Sequence, residues 1–327
     1  MTQAYTPASF GKVAVLMGGW SAERDVSLKS GQAVLEGLRA RDIDAWPVDV
    51  QSGEALLELV EGGFDRAFVA LHGRGGEDGV VQGALETLGI PYTGSGVLAS
   101  ALAMDKLRSK QLLEGVGLPT PAFWVLDADT DPNAVVASLG LPLMVKPALE
   151  GSSLGMSRVE HVSELAGARE AAARYPGAVM AERWIDGPEY TVAMLGDDAL
   201  PVIRLETPHA FYDYKAKYEA DTTRYHCPCG LPAEQEARLQ RLAKAAFLAL
   251  GCHGWGRVDL ISDAQGHPWI IEINTVPGMT DHSLVPMAAK AAGISFPDLV
   301  CIILAQTLEA DRRGTSAGGL KEACYAE

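Results

Sequence analysis

The sequence predicts a mixed α/β and α+β protein of three units, an N-terminal one built on a parallel sheet and two α+β units after it. Three observations point there. The first hundred residues alternate apolar, strand-like runs with helical patterns, and from Gly94 onward short strands are separated by glycine and serine. A length of 327 residues, 48% hydrophobic and 21% charged, exceeds one small domain while remaining ordinary for a globular chain. Lys and Arg total 27 against 42 for Asp and Glu, so the net charge of -15 would repel a phosphate backbone, and nucleic acid is not expected as a partner.

The elements follow in order. KVAVLM predicts a first strand, residues 27–40 a helix, DAWPVDV a second strand, residues 54–60 a helix and RAFVALHG a third strand. This βαβ punctuation puts ligands at the carboxyl ends of the strands, where the glycine-rich segments GGWSAERD and HGRGGEDG fall. The first unit is expected to span residues 1–95. A central unit is expected over 96–187, with a helix in MDKLRSKQLLEGVG, a break at Pro119 and Pro121, strands FWVL, LMVKP and GMSRV, a helical stretch at 163–175 and the strand AVMAERWI. The third unit, 188–310, holds GPEYTVAML, a tyrosine-rich loop, a helix at 233–250, the strand pair GWGRVDLIS and HPWIIEIN, and a helix at 296–309. Residues 311–327 carry no sustained period and are expected to be a mobile tail.

The apolar stretch after Lys12 stops at Gly18 and Gly19, too early for a secretory signal, and no run approaches the roughly 18 apolar residues of a membrane helix, so no membrane partner is expected. The five cysteines, an odd number at irregular spacing, fit free thiols in a reducing cytoplasm.

The strand pair near the C-terminus carries the sharpest chemistry. Arg257 and Asp259 are two residues apart, as are Glu272 and Asn274, so each pair shares one face of its strand. With residues 263–266 as the hairpin turn, Arg257 is expected opposite Glu272, with Asp259 diagonal to it and all four on one surface. Two carboxylates and an amide oxygen are hard ligands suited to Mg2+ beside nucleotide phosphates. The alternative is a solvated face with an ion pair. In VKPALEGSSLGMSRV, Lys146 ends a strand before a Gly-Ser loop whose amides suit phosphate, although an ordinary hairpin turn fits equally well.

Other residues say less by themselves. Lys106 reads as a surface lysine, Glu182 and Glu189 as charges on a linker, and Glu23 as an acid at a helix N-terminus. Two other classes remain to be weighed. A Rossmann dehydrogenase would explain the glycines after the first strand but lacks GxGxxG, and a zinc protein would use His226, Cys227, Cys229 and Cys252 or His253 at loose spacing.

Taken together, the blocks GGWSAERDVSLKSG, LHGRGGEDG, MDKLRSK, KPALEGSSLGMS, ERWIDGPEYT, FYDYKAKY, GWGRVDL and EINTVPGMTDHSLVP resemble the D-alanine–D-alanine ligases of the ATP-grasp superfamily across about residues 11–307. The resemblance implies a three-domain ATP-grasp architecture, in which two α+β units clamp ATP, and peptide-bond formation between two D-alanines for peptidoglycan precursors. It implies that Lys106, Lys146 and Lys217 meet the ATP phosphates, that Glu182, Arg183 and Ile185 meet the adenine, and that Glu189 meets the ribose. Asp259, Glu272 and Asn274 would hold two Mg2+ or Mn2+ ions.

On the substrate side, Glu23, Ser152 and Tyr218 would form a hydrogen-bonded set near the first D-alanine, with His72 nearby. Arg257 and the Gly278 N–H would receive the oxyanion, and Ser283 and Leu284 the carboxylate of the second D-alanine. The loop at 151–155 and the segment 206–225 would act as lids, Tyr218 would favour D-alanine over D-lactate, and the protein would be a homodimer. Arg183 stands where lysine is common, and Ala148, Leu149 and Val276 replace positions that are often polar.

Overall fold

The computed structural model describes residues 5–151, 154–206, 223–280 and 282–312. In the N-terminal sheet, β1 (Val13–Met17) lies between β2 (Ala45–Asp49) and β3 (Arg66–Val69), both parallel to it. Every residue of β1 is buried, which is why the sequence runs VAVLM without alternation. Helices α1 (Arg24–Arg39), α2 (Ala55–Glu61) and α3 (Val80–Leu88) belong to this unit. Gly18 and Gly19, both at φ +79, turn the chain off the end of β1 in a conformation that glycine adopts without strain.

The core of this unit is completed from the far end of the chain. Helices α9 (Leu284–Ala291) and α10 (Phe296–Arg312) contribute Val285, Leu299, Val300, Ile303 and Leu304 to the same cluster as Val13, Val15 and Leu38. Gly37 on α1 permits this, since a Cβ there would lie 3.0 Å from Val300 and 3.1 Å from Phe296. Arg66 donates to the Phe10 carbonyl at 2.6 Å and to Thr307 Oγ1 at 2.8 Å, which satisfies a buried guanidinium. The last helix, expected with the third unit, therefore packs with the first. It reaches Arg312, two residues into the expected tail, while residues 313–327 lie outside the described residues.

The central sheet has the order β4-β7-β5-β6, all antiparallel, from β4 (Phe123–Leu126), β5 (Leu143–Pro147), β6 (Ser157–Val159) and β7 (Val179–Arg183). Helices α6 (Pro132–Leu139) and α7 (Leu165–Ala172) bury Val135, Leu139, Leu165 and Ala168 against Leu143, Val145 and Ala181 of the sheet. Residues 97–115, expected to open this unit, form helices α4 (Val97–Met104) and α5 (Lys106–Gly115), which bury Ala99, Ala103 and Leu113 in a core with Tyr190, Val192 and Val258, while Leu107 packs with Ala148 and Met180. Asp105 divides the two helices and caps α5 by accepting from the Arg108 N–H at 3.1 Å.

That core belongs to the third sheet, ordered β11-β10-β8-β12-β13, with β9 also on β8. Its strands are β8 (Glu189–Leu195), β9 (Asp198–Ala199), β10 (Ile203–Glu206), β11 (Arg224–His226), β12 (Trp255–Ser262) and β13 (Pro268–Asn274), with α8 (Ala233–Ala249) packed on them. The β12–β13 register differs from the expected one. Asp263 pairs with His267 and Gly266 sits at φ +79, so the loop is one residue longer than a turn over 263–266 would make it. A bulge then shifts the pairing again, so that Leu260 faces Ile270 while Asp259 faces Glu272 and Arg257 faces Asn274.

Either shift alone would send Glu272 and Asn274 to the core face. The two together restore the parity, and all four side chains share one surface as expected, with partners moved by two positions. The buried Ile270 and Ile273, three residues apart rather than two, mark where the alternation breaks. Among the described residues, no single helix is long and apolar enough to cross a membrane.

Candidate active site

A cavity of about 560 Å³ opens between the central and third sheets. Lys106, Lys146, Glu182, Arg183, Ile185, Glu189, Asp259, Glu272 and Leu284, all singled out from the sequence, border it. The chain crosses between the sheets at residues 184–188, and Gly187 is required there because a Cβ would collide with the Ser262 carbonyl.

The central-sheet wall is buried. Lys146 on β5 and Lys110 on α5 each lie 2.8 Å from Glu182 Oε2 on β7, with side-chain exposures of 3%, 1% and 5% respectively. Burial alone would raise the Glu182 pKa, but the two ammonium groups outweigh it and hold it below the usual carboxylate range. For Lys110 burial wins over Glu182 and lowers its pKa to about 8. The Lys110 ammonium also donates to Thr120 Oγ1 at 2.6 Å, and the Thr120 hydroxyl donates to the Ile270 carbonyl at 2.8 Å.

Water reaches the opposite wall. Arg257 grips Asp259 with two bonds, from Nε to Oδ1 at 2.8 Å and from Nη2 to Oδ2 at 2.9 Å. Thr191 donates to Asp259 Oδ1 at 2.6 Å and Asn274 to Oδ2 at 3.2 Å. Lys106 lies 3.1 Å from Glu272 Oε2 and donates to the Glu150 carbonyl at 2.9 Å. Burial pulls the Lys106 pKa down, but Glu272, with Glu77 and Glu23 beyond it, outweighs burial and raises it. The hairpin acids and the Asn274 amide form an all-oxygen set, of the kind that holds Mg2+ in preference to softer ions.

A third group of residues comes from the N-terminal unit. Glu23 stands at the N-cap position of α1, yet its side chain makes no capping bond. Its Oε2 instead lies where Cβ atoms on Gly73 and Gly151 would approach to 2.6 and 3.4 Å, so Gly73 leaves room for it and the Gly-Ser loop begins beside it. His72 is buried with both ring nitrogens engaged, Nδ1 with the Val276 carbonyl and Nε2 with Ser30 Oγ, each at 2.9 Å. Ser30 Oγ also accepts from the Met279 N–H at 3.1 Å. His72 thus ties the segment before α9 to the first unit rather than offering a free nitrogen. Ser283 ends that segment, accepting from the Thr280 N–H at 2.9 Å, and α9 begins at the buried Leu284. A Cβ at Gly278 would sit 2.9 Å from Ser283 Oγ, so the close approach that glycine allows there is to the serine.

Arg183 borders the cavity while its Nε donates to the Leu139 carbonyl at 3.1 Å. Ser152, Lys217 and Tyr218, with Phe211, Tyr212 and Tyr214, lie outside the described residues. The sequence reading missed Lys110, Thr191 and Glu77. Lys110 lies four residues after Lys106 and so shares its helix face. Thr191 faces Asp259 across the β8–β12 ladder, and Glu77 sits in HGRGGEDG with Oε1 3.6 Å from His72 Nδ1. Of the cysteines weighed for zinc, Cys229 and Cys252 are buried, and no group of three His, Cys, Asp or Glu suited to a metal occurs among the described residues.

Family models described as D-ala D-ala ligase N-terminus and D-ala D-ala ligase C-terminus match residues 54–95 and 112–305. A D-alanine–D-alanine ligase of Nitrosococcus oceani is 62% identical over 301 residues, covering 92% of this chain and 95% of the relative. The crystal structure of D-alanine–D-alanine ligase from Bacillus anthracis matches with a TM-score of 0.84 at 36% identity, over 93% of this chain and 99% of that one. The crystal structure of that ligase complexed with ATP matches with a TM-score of 0.82 at 34% identity, with the same coverage.

Proposed function

This chain belongs to the D-alanine–D-alanine ligase family, has the ATP-grasp architecture and is an ATP-dependent ligase that joins two D-alanines; we propose that it does so through an acylphosphate formed in the cavity between the two antiparallel sheets. The observation that carries this reading is the placement of Lys106 and Lys146 on the same cavity as Asp259 and Glu272, so that cations for a triphosphate and oxygen donors for divalent ions face one space.

In this reading the adenine lies against the main chain of Glu182, Arg183 and Ile185, and the ribose meets Glu189. Recognition through the main chain suits Arg183, whose side chain is committed to Leu139. Asp259, Glu272 and Asn274 would hold two Mg2+ or Mn2+ ions, which would supply positive charge against the triphosphate. Lys106, Lys146 and, by resemblance, Lys217 add charge from the protein side. The carboxylate of the first D-alanine attacks the γ-phosphorus. A carboxyl oxygen to phosphorus bond forms, the bond from phosphorus to the β–γ bridging oxygen breaks, and ADP leaves with that electron pair.

The amine of the second D-alanine then attacks the acyl carbon. The oxyanion that develops is received by Arg257 and the Gly278 N–H; as it collapses to the amide the acyl carbon to oxygen bond breaks, and inorganic phosphate departs with that electron pair and the proton that the amine loses. Glu23, with Ser152 and Tyr218 by resemblance, orients the first substrate's amino group, and His72 acts by holding the segment that carries Gly278. Ser283 and Leu284, at the N-terminus of α9, take the carboxylate of the second D-alanine, where the helix dipole favours an anion.

We assign the product to peptidoglycan precursor synthesis, the enzyme to the cytoplasm and its assembly to a homodimer. Phosphate release from ATP with D-alanine, L-alanine or no amino acid, with and without Mg2+, tests the chemistry. Stimulation by D-alanine alone and only with a divalent ion is expected, and release that ignores the stereochemistry or the metal would overturn the reading.

A further inference from the structure

We propose that Lys110 is a positioning residue for the nucleotide: it keeps the Glu182 carboxylate matched by charge, so that Lys146 is free to turn to the phosphates of ATP. This rests on the nucleotide site proposed above.

The cluster sets two ammonium groups against one carboxylate, with all three side chains at least 95% removed from water. Both ammonium groups share Glu182 Oε2 at 2.8 Å. With Lys146 as its sole partner, Glu182 would be left as a bare buried anion each time Lys146 engaged a phosphate, and an uncompensated buried charge is strongly unfavourable. Lys110 removes that obstacle, because the carboxylate keeps a partner throughout.

The origins of the residues match this division of labour. Lys146 stands on β5 at the cavity wall, whereas Lys110 lies on α5, a helix between the two sheets with Leu113 in the third sheet's core and Leu107 against Met180, and does not border the cavity. Its ammonium is aimed by the Thr120 hydroxyl, itself tied to the Ile270 carbonyl beside the β13 bulge. The charge that serves Glu182 is therefore fixed from outside the central sheet, and the charge that serves the ligand is not. A Lys110 pKa of about 8 leaves the ammonium protonated at neutral pH, as this role requires.

The test is Lys110→Met, which keeps the stem and removes the charge. ADP binding by titration calorimetry is expected to weaken about tenfold or more, and the KM for ATP to rise in parallel, while the KM for D-alanine stays within about twofold. The double variant Lys110→Met/Glu182→Gln removes the carboxylate with its partner and is expected to bind ADP within about threefold of wild type. A merely structural lysine would not give that rescue.

ADP affinity unchanged in Lys110→Met, or a double variant as weak as the single one, would overturn the proposal. If Lys110→Met does not fold, as read by circular dichroism, Thr120→Val unties the ammonium without removing it. A rise of about threefold in the ATP KM is then expected, and no rise would overturn the idea. A wild-type enzyme that binds no ADP would instead sink the nucleotide site itself, and this proposal with it.

Discussion

The two walls of the cavity carry similar side chains in different surroundings. On the central-sheet wall, Lys110, Lys146 and Glu182 are nearly dry, whereas on the third-sheet wall the acids Asp259 and Glu272 keep 22% and 18% of their side-chain surface exposed. A dry ion cluster is strongly destabilised by loss of one member, since the charge left behind finds no water. A wetted pair exchanges partners at small cost. One wall thus pairs a fixed Lys110 and Glu182 with a Lys146 that can turn without stranding the carboxylate, and the other carries ion pairs that are cheap to exchange, with Arg257 and Lys106 resting on the acids that divalent ions would claim.

The largest test of this contrast acts on the geometry of the wetted wall. Inserting an alanine between Asp259 and Leu260 gives Ile271 a partner, removes the bulge and should put Asp259, Glu272 and Asn274 out of phase with the core residues Leu260 and Ile270, lowering ligation about a thousandfold or more. Phosphate release at the wild-type rate would show that the parity of the hairpin does not set the site. Next comes stability. Glu182→Ala should cost about 3–5 kcal/mol, because two ammonium groups lose their buried partner, while Glu272→Ala should cost about 1 kcal/mol yet abolish activity. Urea unfolding of both variants checks this, and equal losses would erase the distinction.

Arg257→Lys is expected to be milder. It gives up the two-bond grip on Asp259 and should lower kcat by about tenfold to a hundredfold, with melting little changed. A kcat equal to wild type would remove Arg257 from the chemistry. The smallest effect is a pH slope from the dry wall. Folding lowers the Lys110 pKa from 10.5 to about 8, so between those values the unfolded chain binds more protons and the contribution of Lys110 to stability rises with pH. Wild-type stability should therefore gain on Lys110→Met as pH climbs through this window, and a difference independent of pH would deny the shift.

Legibility in the sequence followed the physical origin of each feature. Strand β1 could be read because a strand buried on both faces is an unbroken apolar run, and β8 and β12 because their flanking glycines and prolines punctuate them. Helices α4, α6 and α9 were not read. Each has eight residues, α4 is apolar on most sides, α6 opens on Pro132 and α9 contains Pro286, so neither amphipathic period nor length distinguishes them from loops. The converging face of β12 and β13 was foreseen, but its pairing was not, because the bulge at Ile271 reflects how the sheet packs rather than any local propensity.

Among site residues, the resemblance pointed to Lys106 and Lys146, while Lys110 escaped because the default for lysine is a water-facing side chain. Its helical spacing from Lys106 was the available signal. The packing of residues 97–115 on the third sheet was hidden for a related reason: which neighbour an apolar helix face chooses is decided in three dimensions.

The first core is closed by residues from far along the chain. Val300, Ile303 and Leu304 share one buried cluster with Val13, Val15 and Leu38. The N-terminal unit is therefore no free-standing piece: cut away from residues 284–312, it would leave one side of its interior open to water.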